Sequence, residues 1–324
     1  MRWKVLTIAM AAHDVFKIYE GKEQRTDVVA LRGVNVELHA GEFVSIIGPS
    51  GSGKTTLISV LGGLIRPTAG TIFIRGTTIT TLPTSQLVQF RREHLGFVFQ
   101  ISNLVPMLTL QENVMLPMKV AGKKDPKKRT LELLSAVGLT ERRKHKPSQL
   151  SGGELQRAAI ACALANDPEI LLGDEITGEL DTTTSQEVMD YLKDLNQEQG
   201  LAMLVVTHNE QIASQANRIL RIKDGSVLTQ RLREDTSAEE LYEISVKGRI
   251  TIPEELRRQV GLERLVQFRI SSEGDHLKLY PSSVKSPPIV AEEPIKPVEK
   301  TCPACSQTVP QQVIYCIHCG HKFN

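Results

Sequence analysis

The chain has 324 residues, with 39 Lys or Arg against 37 Asp or Glu. So near a balance excludes a globally polyanion-binding surface, and the length suits two or three domains rather than one. No run of about 18 uncharged apolar residues occurs, so the chain is not expected to span a membrane by itself.

The first ten residues start with a basic pair around Trp3 but carry only a short apolar patch, with His13 and Asp14 close behind, which makes a poor signal peptide. Met10 offers an alternative start that would make residues 1–9 a dispensable extension. Apolar and polar residues then alternate through Val15 to Tyr19 and Ala30 to Leu38, which predicts two half-buried antiparallel strands joined by a charged loop, Glu20 to Asp27. Tyr19 or Phe16 at the first strand's end could stack on a purine base; core packing is the plainer use of either ring.

An apolar run, Phe43 to Ile47, enters Gly48, Pro49, Ser50, Gly51, Ser52, Gly53, Lys54, Thr55 and Thr56, and a second apolar run follows from Leu57. This is a strand feeding a glycine-rich turn that opens a helix, the context a phosphate-binding P-loop requires. Glycines 48, 51 and 53 let consecutive N–H groups point inward at phosphate oxygens, with the positive end of the helix behind them. Lys54 would reach the β- and γ-phosphates and Thr55 would offer its hydroxyl to Mg²⁺.

Gly96 to Gln100 reads as a short strand ending in an amide that can serve a metal or a water. Ile101 to Met118 is apolar, with Pro106 and Pro117 and little charge, and reads either as a partner groove or as core. Lys123 to Arg129 reads as a solvated basic loop. Ser151, Gly152, Gly153 and Glu154 open a helix expected to run to Ala165, with Ser151 as its cap and two glycines leaving N–H groups uncovered for an anion. Within it Cys162 sits among alanines and reads as an inert, buried thiol.

Glu169 to Glu175 is a buried strand ending in two acids, where Asp174 would hold Mg²⁺ through water and Glu175 would polarise an attacking water. Leu201 to His208 is a second buried strand, with a histidine at the same sheet edge placed to sense the γ-phosphate. An Asp-Gly hairpin at Asp224-Gly225 closes this region.

Taken in order, Gly48–Thr55, Gln100, Leu150–Glu154, Asp174–Glu175, Leu180-Asp181 and His208 resemble the nucleotide-binding domain of ABC ATPases over residues 12–230. The Leu-Ser-Gly-Gly-Glu stretch belongs to that family rather than to P-loop proteins generally. Residues 96–117 are similar to the lipoprotein-release and macrolide-export branch. The resemblance implies an α/β P-loop fold with a helical subdomain, and two copies closing head to tail around two Mg-ATP. Each copy would turn Ser151, Gly152 and Gly153 to the γ-phosphate held by the other. It further implies that Tyr19 stacks adenine, Gln100 couples Mg²⁺ to the transporter interface, Glu175 acts as base, His208 stabilises the transition state and Asp181 joins the dimer contact. Ile176 stands where that family usually has proline, and Glu179 where asparagine is common before Leu-Asp; neither removes a catalytic group.

Beyond residues 1–230 and a linker over 231–242, residues 243–280 look like an AbrB-like swapped-hairpin domain, with Pro253 opening a short helix. Such domains pair by exchanging hairpins and often bind DNA. Seven Lys or Arg against six Asp or Glu here make a thin electrostatic case for DNA, with Lys247, Arg249 and Arg257 as the candidates. Five prolines in residues 281–300 mark an extended linker. In residues 301–324, Cys302, Cys305, Cys316 and Cys319 resemble a zinc ribbon, two thiolate knuckles meeting at one tetrahedral Zn²⁺. Disulfides are the rival reading, disfavoured by the reducing cytoplasm expected for such an enzyme.

The first functional expectation is an ATP-hydrolysing transporter subunit, peripheral at the inner face of the cell membrane and docked through residues 101–118 on a separate permease. The second is a soluble ABC ATPase that acts on DNA or regulates transcription through its AbrB-like and zinc-ribbon modules. The third, a non-enzymatic scaffold, requires an inert Glu175.

Overall fold

Two sheets organise the amino-terminal unit, Met1–Ile252, one of the two into which the chain divides; the other is Pro253–Asn324. The computed structural model describes residues 7–21, 27–232, 268–273, 276–281, 299–301 and 308–310.

The first sheet is antiparallel. Strands β1 (Ile8–Tyr19) and β2 (Val28–His39) pair along most of their length, and β4 (Ala69–Ile74) and β5 (Thr77–Thr78) continue the sheet in the order β2-β1-β4-β5. The expected first strand begins seven residues too late: β1 starts at Ile8, and Met10 is paired with Leu38 on one side and Ile74 on the other. The Thr7 carbonyl accepts from Ala40 N–H at 2.8 Å and that of Ala9 from Arg75 N–H at 3.0 Å. Residues 7–9 are therefore structural, and a chain begun at Met10 would leave these donors unpaired.

The second sheet has the order β10-β9-β3-β8-β7-β6. Its members are β3 (Phe43–Ile47), β6 (Leu95–Val98), β7 (Ile170–Asp174), β8 (Ala202–Val206), β9 (Arg218–Lys223) and β10 (Ser226–Leu232). All run parallel except β10, which returns from β9 through a turn with Asp224 at φ 50° and Gly225 at φ 78°. Two consecutive positive φ values define the tight hairpin that the Asp-Gly pair predicts.

Strand periodicity divides the core between the two faces of this sheet. Val44, Ile46, Leu172, Leu204 and Val206 face the antiparallel sheet and helix α1 (Lys54–Leu61), whose Leu57, Ile58, Val60 and Leu61 are all buried. Helix α2 (Thr84–His94) adds Leu87 to that side. Phe43, Leu171, Met203 and Val205 face the other way, onto α3 (Leu110–Val120), α4 (Pro126–Ala136), α5 (Gly152–Ala163), α6 (Thr182–Gln199) and the short α7 (Glu210–Ala213). This is the α/β fold that the resemblance implies, here with helices on both faces of the parallel sheet.

The expected basic loop Lys123 to Arg129 runs into a helix. α4 starts at Pro126, whose missing N–H costs nothing in a first turn, and Lys123 and Arg129 both reach Asp167 rather than water alone. α5 ends at Ala163, two residues short of its expected limit. Burial pushes the Cys162 thiol up to about 12, which keeps it protonated and unreactive.

Apolar residues 101–118 split their roles. A capping box of Thr109 and Glu112 starts α3, which buries Leu110, Val114 and Met118, whereas Ile101 and Met107 are about four-fifths exposed at 79% and 80%. Within Pro253–Asn324, β11 (Phe268–Glu273) pairs β12 (His276–Pro281), and β13 (Glu299–Thr301) pairs β14 (Thr308–Pro310), both antiparallel. Lys247, Arg249, Arg257 and the four expected zinc ligands lie outside the described residues.

Candidate active site

The loop between β3 and α1 closes on itself. Gly51 and Gly53 have φ 76° and 100°, and a Cβ on Gly48 would stand 2.2 Å from the Ile222 carbonyl oxygen. Only glycine fits the last position, because the loop is pressed against the edge of β9. Lys54 Nζ donates to the carbonyls of Gly48 and Pro49, both at 2.8 Å, so the ammonium is folded over the loop mouth. The side chain of Ser52 is buried and its hydroxyl has no partner. Helix α1 has neither a side-chain cap nor an acid in its first turn, so its leading N–H groups are open to an anion.

That loop is one wall of a cleft of about 540 Å³. Tyr19, Gln100, Asp174 and Glu175 line the same cleft with Ser50, Gly51, Gly53, Lys54, Thr55 and Thr56. These four sequence segments therefore converge where the parallel strands β3, β6 and β7 end, as an open α/β sheet places its ligands. Tyr19 is 39% exposed, with Lys17 Nζ 5.1 Å from its ring centroid.

Thr55 stands beside Asp174, where its hydroxyl favours the ionised carboxylate. Burial first, and then the charge of Glu175, raise the Asp174 carboxyl above its ordinary value, while Thr55 and Lys54 work against them. A carboxylate pair desolvated beside a threonine hydroxyl is short of positive charge, which a divalent cation on Thr55, Asp174 and Gln100 would supply; the donor set fits hard, oxygen-seeking Mg²⁺. Glu175 follows β7 with φ 55°, an unusual value for a side-chain-bearing residue, and this turn aims its Oε1 at His208 Nδ1, 2.8 Å away.

The segment Ser151 to Glu154 does not line this cleft. Ser151 caps α5 by accepting from Glu154 N–H at 3.3 Å, while Glu154 accepts from Ser151 N–H and from Arg142, both at 2.9 Å. Those bonds, the Ser151 N–H foremost, hold the Glu154 carboxyl below its usual range. Glu154 thus completes the cap, and the anion-facing donors of this terminus are backbone N–H groups at the two glycines. Both glycines lie close to the loop before α6. A Cβ on Gly152 would stand 3.3 Å from Glu179 Oε2, and one on Gly153 would stand 3.3 Å from Leu180 Cδ2. Asp181, expected at a dimer contact, caps α6 by accepting from Thr184 N–H at 3.0 Å, and that N–H leads the groups that depress its carboxyl.

Ile176, in place of the expected proline, is buried, and Gly173 leaves room for it: a Cβ there would stand 2.3 Å from Ile176 Cγ2. Arg32, Ala30 and Asp224 also line the cleft, and nothing in the sequence marks them as site residues. The Asp-Gly turn was their one visible signal, and it reads only as a hairpin; that it lies against the P-loop, with Gly225 N–H donating to the Ser52 carbonyl at 3.0 Å, is a tertiary fact.

A family model described as ABC transporter matches residues 31–178. An uncharacterized ABC transporter ATP-binding protein of Thermotoga maritima is 50% identical over 216 residues, 66% of this chain and 91% of that one. The lipoprotein-releasing system ATP-binding protein LolD of Geobacter metallireducens is 44% identical over 217 residues, 66% of this chain and 96% of that one. Among solved structures, the dimeric post-hydrolysis state of the ATP-binding cassette MJ0796 bound to ADP and Pi superposes with a TM-score of 0.67 at 42% identity, covering 70% of this chain and 99% of that one.

Proposed function

The chain belongs to the ABC transporter family of ATP-binding subunits, and from that footing we propose that two copies hydrolyse ATP between them to drive a separate membrane permease. It is an ATPase of the transporter kind; the rival reading, a soluble ATPase acting on DNA, finds no support among these relatives, which are transporter proteins. The observation that carries the two-copy reading is the division of the site. One cleft gathers the P-loop, the Thr55–Asp174 pair and Glu175, while Ser151, Gly152 and Gly153 are outside it and need a phosphate from elsewhere.

In this reading Tyr19 stacks the adenine, and the N–H groups of Gly48 to Thr56 with the ammonium of Lys54 bind the β- and γ-phosphates. When bound, Mg²⁺ supplies the positive charge that neutralises the phosphates, and Thr55, Asp174 and Gln100 would hold it. Glu175 Oε1 accepts a proton from the water that attacks the γ-phosphorus, and His208, fixed by its bond to Glu175, steadies the charge that develops there. The partner copy closes the pocket with its Ser151-Gly152-Gly153 terminus and its Asp181 loop.

Exposed Ile101, Val105, Met107 and Leu116 support docking of the permease on this face. Among the described residues no helix is long and apolar enough to cross a membrane, so attachment at the inner membrane face runs through that partner. On fractionation of cells, the tagged chain is expected to sediment with membranes together with a polytopic protein, and the double variant Ile101→Asp/Met107→Asp to move to the soluble fraction. Recovery of the unsubstituted chain in the soluble fraction alone, with salt-sensitive retention on DNA, would overturn the transporter reading.

The carboxy-terminal modules belong to the same proposal. The β11–β12 hairpin suits an AbrB-like swapped-hairpin module over 243–280 that adds to dimer formation, and β13 and β14 bracket Cys302 and Cys305 as the strands of a zinc knuckle would. Cys302, Cys305, Cys316 and Cys319 would hold the Zn²⁺, which a module with so little core needs in order to fold. The purified chain is expected to release one zinc per chain on treatment with a thiol-blocking mercurial, read by a colorimetric chelator; a chain purified without chelators that yields none would remove the ribbon.

A further inference from the structure

One buried side chain ties three parts of this site together without touching the cleft. Gln156 lies on α5, five residues beyond Ser151, and is 1% exposed. Its Nε2 donates to two backbone carbonyls: Ile176 at 3.2 Å, on the residue after Glu175, and Phe99 at 3.4 Å, on the residue before Gln100. The helix whose amino terminus awaits the other copy's phosphate is thereby bonded to the neighbours of both the base and the metal-side amide.

The backbone at Glu175 explains why such a tie is needed. Its φ of 55° is a conformation that costs a side-chain-bearing residue free energy and persists only where its surroundings over-determine it. Three bonds do so here. Glu175 N–H donates to the Val206 carbonyl at 2.9 Å, Gly178 N–H donates to the Glu175 carbonyl at 3.0 Å, and Gln156 holds the Ile176 carbonyl between them. Without the third, the turn can relax and carry the carboxylate away from His208. On the other side Phe99 follows the end of β6, and its carbonyl has the same amide for a partner, so Gln100 is anchored at its root.

We infer that Gln156 is a positioning residue for hydrolysis, linking the phosphate-facing end of α5 to the placement of Glu175 and Gln100. The inference rests on the roles given to those two residues above. A shift of α5 as its terminus engages the other copy's nucleotide is passed through one amide to the base and to the metal-side loop, so each copy's chemistry responds to the nucleotide its partner holds. The effect of losing it falls on the chemical step, because neither Phe99 nor Ile176 lines the cleft and Gln156 makes no bond to the P-loop. A displacement of the order of 1 Å in a reacting group is enough to cost about a hundredfold in rate.

The test uses the full chain, with steady-state ATP hydrolysis measured over a range of ATP concentrations and a thermal melt of each variant. Gln156→Glu keeps the shape but removes the N–H donors and sets a carboxylate against two carbonyls; Gln156→Met keeps the length and removes all polarity. Expected is a fall in kcat of at least about tenfold in whichever variant folds, with KM for ATP within about twofold and the affinity for a non-hydrolysable ATP analogue unchanged. Retention of kcat within about twofold would overturn the inference. So would a proportionate rise in KM and fall in melting temperature, which mark a merely structural glutamine. Absence of turnover in the unsubstituted chain would instead bring down the functional reading, and this inference with it.

Discussion

Glu175→Gln is expected to slow ATP turnover by about 10²–10⁴-fold while leaving an ATP-bound dimer that survives gel filtration. Glutamine keeps the shape of a side chain that is 17% exposed and can still accept the 2.8 Å hydrogen bond from His208 Nδ1 through its oxygen. It has no lone pair basic enough to take a proton from water. Binding and chemistry therefore separate: the phosphates lose a nearby negative charge and are held no more weakly, while the step that would release them fails. The same substitution removes one cause of the raised Asp174 carboxyl, so Asp174 stays ionised to a lower pH than in the unsubstituted chain. The measurements are phosphate release and gel filtration with Mg-ATP. Monomers under ATP would refute the two-copy arrangement, and retained turnover would transfer the base's role away from Glu175.

The second large effect falls on the loop. Gly53→Ala is expected to destabilise the chain by about 2–4 kcal/mol and to weaken nucleotide binding by more than about tenfold. Two costs coincide at this residue. Its φ of 100° lies outside what alanine adopts comfortably, and a Cβ there would stand 2.5 Å from the Ala30 carbonyl oxygen and 3.3 Å from Leu31 Cδ2. The clash is with backbone of β2, which is paired along its length to β1 and cannot yield without loss of register. Gly51→Ala is the control. Its φ is 76° but nothing lies within 4 Å of the added atom, so only the conformational cost of about 1–2 kcal/mol applies. At about 2–4 °C per kcal/mol for a unit of this size, thermal melts resolve the two, and fluorescent-nucleotide titration measures the binding loss. Equal effects from both substitutions would show that close approach to β2 contributes nothing.

Much of the site is legible along the chain because its chemistry is local. A strand, a glycine-rich turn and a helix form the P-loop from consecutive residues, and the acids, Gln100 and His208 each sit at the carboxyl end of an apolar run. In a parallel sheet those ends lie on one edge, so apolar run plus terminal polar residue is a sufficient rule. Caps are legible for the same reason: Ser151 with Glu154 and Thr109 with Glu112 are bonds between residues three apart. Legibility fails where a contact is made across the chain. The alternation from Val15 to Tyr19 shows only the second half of β1; the strand extends back to Ile8 because its neighbours β2 and β4 pair with it there. Pro126 looks like a loop residue in a basic run, yet it opens α4, whose buried Leu133 and Leu134 supply the driving force.

By itself, then, the sequence determined the local reaction machinery, which residues can face phosphate and which carry the acids, because these follow from periodicity and short-range spacing; the α/β P-loop fold followed from the resemblance that those motifs carry. The tertiary structure alone decided that Arg32 and Asp224 share a cleft with Lys54, that the glycines of 152 and 153 are packed against Glu179 and Leu180, and that Gln156 reaches both Phe99 and Ile176. Those contacts depend on the strand order β10-β9-β3-β8-β7-β6 and on how α5 settles over one end of it. Apolar patterning says which face of an element is buried; it does not say which distant element will bury it.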